Sequence, residues 1–280
     1  MVDMDTDPVL LRSLAERLAA EAADFVRRRR AEVFGDGHRD NPASAVRAKS
    51  TPTDPVTVVD TETERLLRER LAELRPGEHV FGEEEGGTPA SADGRLTWVL
   101  DPIDGTVNFV YGLEMYAVSV GVQREGVSVA GAVANVAAGA VYSAAVGHGA
   151  HLLRAGVTTP LRTTGATELS MSLVGTGFSY DPAQRVRQAG ILATLLPEVR
   201  DVRRMGSCAL DLCMVAAGQI DGYYEDGVHV WDWAAGALIA AEAGAAVRLP
   251  PAEGDAGFVV AAAPGIADAL NEALLRAGAP

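Results

Sequence analysis

The segment Trp98-Val-Leu-Asp101-Pro-Ile-Asp104-Gly-Thr106-Val-Asn-Phe109 places two carboxylates and a hydroxyl within six residues. Its apolar start, Trp98 to Leu100, predicts a strand, and Pro102 cannot extend a strand's hydrogen-bond ladder. Asp101 is therefore expected to project from the strand's C-terminal edge. Asp104-Gly105-Thr106 is turn chemistry, and if its amides open a helix or nest they face outward, ready for an anion. Taken alone, an Asp-Gly pair is equally an ordinary surface turn.

Two more acidic segments change that balance. Phe81-Gly82-Glu83-Glu84-Glu85 sets carboxylates directly after an apolar pair; a solvated acidic loop is the plain alternative. Val230-Trp231-Asp232-Trp233 puts a carboxylate between two tryptophans at the start of an alanine-rich helix, where a simple N-cap is the plain alternative. Asp101, Asp104, Glu83 and Asp232 all lie at edges of apolar segments, where unpaired burial is costly unless a cation offsets the charge. Oxygen donors without His or Cys select a hard ion, and Mg²⁺ fits better than zinc. Clustered carboxylates repel a phosphate ester unless metal lies between them, so a metal-bridged phosphoryl site is the consistent chemical reading. There the ions neutralise phosphate and bound water is the nucleophile.

The elements that must hold these residues can be sketched from spacing. Asp7-Pro8 opens a helix with Leu11, Leu14, Leu18, Ala22 and Phe25 on one side, ending near Gly35. Its four consecutive arginines, Arg27 to Arg30, point around the circumference and read as solvated surface. Residues 36–48 read as a polar loop. Thr61 and Glu64 form a capping box that starts a second helix, stopped at Pro76-Gly77. Residues 86–95 read as a surface loop before the strand Thr97–Leu100, and Tyr116–Gln123, Val127–Val136 and Gly139–Val146 as a meander of antiparallel strands. Beyond about residue 160, helix and strand alternate: helices from Asp181-Pro182, Ser207, Asp232 and after Pro264, with strands near Val199–Arg203, Gly222–Glu225 and Phe258–Ala261. This predicts an α/β fold with a mixed or parallel sheet under helices. One unit over residues 8–280 is expected, with interdependent halves at about 8–158 and 159–280.

Composition narrows the function classes. The 280 residues carry 24 Lys+Arg against 38 Asp+Glu, a formal charge of −14, on a 48% hydrophobic background. A chain of this size buries a large core, and its negative field opposes nucleic acid and membrane surfaces as partners. Cys208 and Cys213 are spaced for neither a redox pair nor a zinc site and read as buried thiols of a cytoplasmic protein. Asp3, Asp5 and Asp7 stand where a secretory leader needs basic and apolar residues, so no export signal is expected.

A fourth segment, Lys49-Ser-Thr-Pro-Thr-Asp54-Pro-Val-Thr57-Val-Val-Asp60, precedes the second helix, and Asp60 alone is open to reading as a cap. Together, Asp54-Pro-Val-Thr57-x-x-Asp60, Gly82-Glu83-Glu84, Asp101-Pro-Ile-Asp104-Gly-Thr106-x-Asn-Phe109 and Trp231-Asp232-x-Ala-Ala-Gly236 resemble the inositol monophosphatase family. That family sits within the lithium-sensitive, Mg²⁺-dependent phosphatase superfamily. The motifs occur in family order across nearly the whole chain. Arg203-Arg204-x-Gly206-Ser207 and Tyr223-Tyr224-Glu225 point to the bacterial SuhB-type branch.

The resemblance implies a layered αβαβα fold and hydrolysis of myo-inositol 1-phosphate. It also implies two to three Mg²⁺ ions, lithium as an inhibitor, and a homodimer acting on a small sugar or polyol phosphate. It makes Glu83, Asp101 and the Ile103 carbonyl ligands of one ion, Asp101, Asp104 and Asp232 ligands of a second, and places a weaker third near Glu83. Thr106 and Asp60 would orient and deprotonate the attacking water, and the Gly105 and Thr106 amides would cradle phosphate. Ser207, Cys208 and Glu225 fall on the substrate side; Cys208 replaces a common alanine and Val107 a common threonine. Related phosphatases for histidinol phosphate, fructose 1,6-bisphosphate or 3′-phosphoadenosine nucleotides share such a site. An inactive relative that binds transcription machinery is the reading from a different class, and retention of every acidic motif residue weighs against it.

Overall fold

The computed structural model describes residues 6–35, 46–49, 51, 53–89, 94–250 and 257–280. Asp3 and Asp5, residues 36–45 of the expected polar loop and residues 90–93 of the expected surface loop lie outside them.

Asp7 caps the first helix, α1 (Pro8–Phe34), accepting from the Val9 amide at 2.8 Å, with Pro8 in the first turn where no intrahelical donor is needed. The arginine run is less solvated than expected. Arg27 donates to the Val136 carbonyl, Arg29 pairs with Glu62, and Arg30 donates to the Phe109 carbonyl and lies over the Phe34 and Phe109 rings. Three of the four arginines reach three different neighbours, and only long stems make that possible. Residues 46–48, expected in a loop, form β1 (Val46–Ala48), paired antiparallel with β2 (Pro55–Thr57). A mostly exposed three-residue strand leaves no apolar alternation to read.

The second helix, α2 (Val58–Leu74), begins three residues before the expected box. Its N-cap is Thr57, whose hydroxyl accepts from the Val59 and Asp60 amides while Asp60 accepts from the Thr57 amide. Both Thr57-x-x-Asp60 and Thr61-x-x-Glu64 carry a cap pattern; the earlier one wins because it buries Val59 while Thr61 stays exposed.

Eight strands form the larger sheet: β3 (His79–Gly82), β4 (Gly86–Gly87), β5 (Leu96–Asp104), β6 (Ala117–Arg124), β7 (Val127–Asn135), β8 (Ala140–Ala145), β9 (Ala150–Arg154) and β10 (Val157–Pro160). Their order is β10-β9-β8-β7-β6-β5-β3-β4, antiparallel throughout except for β3 beside β5. The short helix α3 (Thr106–Tyr111) follows β5 directly. Five strands form the second, mixed sheet in the order β12-β11-β13-β15-β14: β11 (Leu173–Thr176), β12 (Asp201–Arg203), β13 (Gly222–Val228), β14 (Ala246–Arg248) and β15 (Gly257–Ala262). The remaining helices are α4 (Pro182–Leu195), α5 (Cys208–Ala216), α6 (Val230–Glu242) and α7 (Ala267–Arg276). Strands β4, β9, β10, β11 and β14 were not anticipated; none exceeds five residues, too few to show a period.

Side-chain alternation sets the layers. On β5, Trp98 and Leu100 pack with α1 and α2, whereas Val99 packs with α5 and α6. On β15, Val259 and Ala261 face α5 and α6, while Phe258, Val260 and Ala262 face α4 and α7. The stack is therefore helices, sheet, helices, sheet, helices: the αβαβα arrangement. No helix among the described residues is long and apolar enough to cross a membrane.

Helix α6 lies unusually close to the larger sheet. Gly121 and Gly131 are cross-strand partners, and a Cβ on either would come within 2.9 Å of Ala234 or Ala235. Two glycines under an alanine-rich face let the helix backbone approach, which fixes where its first turn, carrying Asp232, meets the end of β5.

Candidate active site

Strand β5 does not stop at Pro102. Asp101 pairs with Ser119 and Asp104 with Ala117, so β5 holds one extra residue between them. A bulge tolerates the missing proline amide, and it also solves a directional problem. Residues three apart on a regular strand point to opposite faces; the extra residue lets Asp101 and Asp104 open into one cleft. Asp232, the third residue of α6, joins them from the helix layer. It is not the cap itself: His229 is the N-cap residue, and Asp232 accepts its amide at 2.6 Å.

One oxygen from each of Asp101, Asp104 and Asp232 lies within 4.8 Å of the other two. Asp101 is 1% exposed; one of its oxygens accepts from the Ile103 amide at 3.1 Å, and Oδ2 has no hydrogen-bond partner among the described residues. Burial and the charges of Glu83, Asp104 and Asp232 push the Asp101 carboxyl well above its ordinary range. Burial and the charges of Asp104, Glu83 and Glu225 do likewise for Asp232. Asp104 rises to about 7 by burial, although Ser207 Oγ at 2.5 Å and the Ala209 amide at 2.7 Å stabilise its charge. Three acids that resist ionising together, with one buried oxygen unpartnered, are the donor set of a hard cation.

These residues line a cleft of about 650 Å³, together with Glu83, Ile103, Gly105, Thr106, Cys208 and Glu225. Glu83 is outside the close trio. Its Oε1 accepts from Lys49 Nζ at 2.8 Å, and Lys49 also donates to Glu84 at 2.5 Å. Burial alone would lower the Lys49 ammonium, but the two glutamates hold it above its ordinary value. Glu84 is pushed up to about 7 by burial and by Glu83.

Asp60 and Ser207 stand behind the cleft wall, not on it. Asp60 is fully buried; Oδ2 serves the cap of α2 and Oδ1 accepts from Thr106 Oγ at 3.1 Å, so one carboxylate joins the helix cap to a cleft residue. Burial and Glu83 raise it to about 6 against the lowering bond from Thr57. Thr106 Oγ also lies 3.0 Å from the Ile103 carbonyl. Ser207 caps α5 and spends its hydroxyl on Asp104, which makes it a support of the acid rather than a surface for substrate. Cys208 reaches the cleft, but burial holds its thiol well above its ordinary value. Glu225 lies midway along β13, not at its end, half-buried and accepting from Tyr223 Oη at 2.6 Å.

The lining residues to which the sequence assigns no role include Lys49, Tyr180, Arg204 and His229. Lys49 opens the same segment as Asp60, yet its partners lie more than thirty residues away. The His229 ring stacks on Trp231 at 4.7 Å, and Phe81 meets Trp231 at 5.5 Å, so an aromatic wall flanks Asp232.

Comparison with known proteins matches this arrangement. Residues 7–278 match the inositol monophosphatase family. The chain is 64% identical over 281 residues to inositol-1-monophosphatase SuhB of Mycobacterium tuberculosis, covering 99% of this chain and 97% of that protein. It is also 64% identical over 279 residues to inositol-1-monophosphatase of Mycobacterium leprae, covering 97% and 96%. The solved structure of Mycobacterium tuberculosis SuhB superposes with a TM-score of 0.83 at 59% identity, over 97% of this chain and 98% of that one. A bulged strand end, a capped aspartate and an acid on the first turn of a buried helix thus occur together in a chain that belongs to the inositol monophosphatase family.

Proposed function

We propose that the protein is a magnesium-dependent phosphomonoesterase that hydrolyses myo-inositol 1-phosphate to myo-inositol and phosphate. The observation that carries this is the trio Asp101, Asp104 and Asp232, mutually repelling acids in an open cleft with Asp101 Oδ2 unpartnered. Membership of the family and the names of its 64% identical relatives support the substrate.

Asp101, Asp104 and Asp232 would hold one magnesium ion, and Glu83, Asp101 and the Ile103 carbonyl another. When bound, such ions neutralise phosphate charge and make water acidic enough to attack. Thr106 accepts a hydrogen bond from the attacking water while donating to Asp60 Oδ1. The proton leaves toward Asp60, which at about 6 is a stronger base than an ordinary aspartate. The Gly105 and Thr106 amides at the start of α3 orient the phosphate, and Glu225 accepts from polyol hydroxyls. Water is the nucleophile in this reading, so no phosphoenzyme forms. The same reading carries a weaker third ion near Glu83, inhibition by lithium, a cytoplasmic homodimer and a single unit over residues 8–280 with halves meeting near residue 158.

Phosphate release from myo-inositol 1-phosphate, histidinol phosphate, fructose 1,6-bisphosphate and a 3′-phosphoadenosine nucleotide, with magnesium or with chelator, tests the proposal. Preference for inositol phosphate only with magnesium is the expected result. Preference for another ester rejects the substrate, and turnover in chelator rejects the chemistry.

A further inference from the structure

Glu64 does not cap a helix, and its carboxylate has a different task. We infer that Glu64 is a positioning residue for Glu83, acting through the turn that follows β3. The Glu64 side chain is fully buried on α2 and accepts from two consecutive amides, Glu84 N at 2.7 Å and Glu85 N at 3.0 Å. Arg68, one turn along α2, donates from Nε to Glu64 Oε1 at 2.9 Å and from Nη2 to the Gly86 carbonyl at 2.5 Å. Residues 84–86 are thus clasped to α2 on both donor and acceptor sides. The Glu83 amide donates to the Leu100 carbonyl of β5 at 3.1 Å, so Glu83 is fixed from its other side as well.

The clasp needs these residue types. A carboxylate accepts two N–H groups with no donor of its own facing them; a carboxamide cannot. Gly82 is required beneath it, since a Cβ there would lie 2.3–2.7 Å from the Glu64 carboxyl atoms. A glutamate on a free turn loses conformational freedom when it takes a ligand, and a clasped one has lost that freedom already. The inference rests on the reading of Glu83 as a magnesium ligand. It adds that Glu64 sets how readily Glu83 serves as one.

Full-length Glu64→Gln and Arg68→Gln test it by three readouts: hydrogen exchange across residues 83–86 without metal, calorimetric magnesium binding, and magnesium titration of phosphate release. The expected result is faster exchange at the Glu84 and Glu85 amides and a magnesium requirement raised about tenfold or more. The rate at saturating magnesium returns to within about threefold of wild type, because no reacting atom has been removed. Glu83→Gln should instead depress the rate at every magnesium concentration. Unchanged exchange with an unchanged magnesium response overturns the inference, as does a rate loss that magnesium does not recover. Arg68 is partly exposed, so Arg68→Gln decides the matter if Glu64→Gln fails to fold. Failure of the wild-type protein to bind magnesium would instead overturn the functional reading, which the exchange measurement does not depend on.

Discussion

Raising the pH of the chelator-treated protein from about 5 to about 7.5 should lower its melting temperature, where ordinary carboxylates are already ionised in both folded and unfolded chains. Asp60 rises from 3.8 to about 6 on folding. A proton held by the folded chain and not by the unfolded one stabilises the fold. That contribution is complete below the unfolded value and is lost as pH climbs through the folded one. Of the two units, only the one between about pH 5 and the folded value falls in this range, so Asp60 alone loses about 1.4 kcal/mol across it. Asp104 and Glu84, both near 7, and Asp101 and Asp232, raised further, act in the same direction. Their charges sense one another, so the contributions do not add, and the Asp60 figure sets the scale. For a chain of this size that is a fall of roughly 3–6 °C. Differential scanning fluorimetry across the pH series measures it. Magnesium at about a hundred times its dissociation constant should restore about 2.7 kcal/mol and flatten the slope at the neutral end. Asp60→Asn should flatten it in chelator. A melting temperature that is level or rising over this range without metal would refute the electrostatic account of the site.

Two other outcomes follow from the geometry. Thr106→Val keeps the shape of a buried residue but removes the bond to Asp60, and should lower kcat about 10²–10³-fold in steady-state assays with the melting temperature little changed. Gly131→Val introduces a Cβ 2.9 Å from the Ala235 backbone; urea unfolding should show a loss of ~1–3 kcal/mol, and because α6 carries Asp232, half-maximal activity should need more magnesium.

Much of the site could be read from residue order because its acids sit in short motifs with turn and cap chemistry of their own. Asp101-Pro-Ile-Asp104-Gly105 announces both a strand end and a turn, and Trp231-Asp232 announces a helix start. What stayed hidden depends on partners distant in sequence. Nothing local distinguishes Thr57-x-x-Asp60 from Thr61-x-x-Glu64 as a cap; the buried Val59 decides, and burial is a property of the packed molecule. The bulge at Pro102 reads as a strand terminus because proline marks both. The paired glycines of β6 and β7 carry no signal until their register is known. Helices α1, α4 and α5 were legible from caps and spacing, whereas β1, β4 and β14 are held mainly by ladder bonds to neighbours and leave little side-chain pattern.

The seam between α6 and the glycines of the larger sheet has a mechanical corollary. Two of the clustered acids ride on that sheet and the third on a helix wedged between both sheets, so a cation gripped by all three would act as a rivet through adjacent layers. Slippage of one layer by a fraction of an ångström would loosen the grip. Tight alanine-to-glycine contact within one turn of Asp232 therefore belongs to the calibration of the cleft, and substitutions there will register first as altered cation affinity.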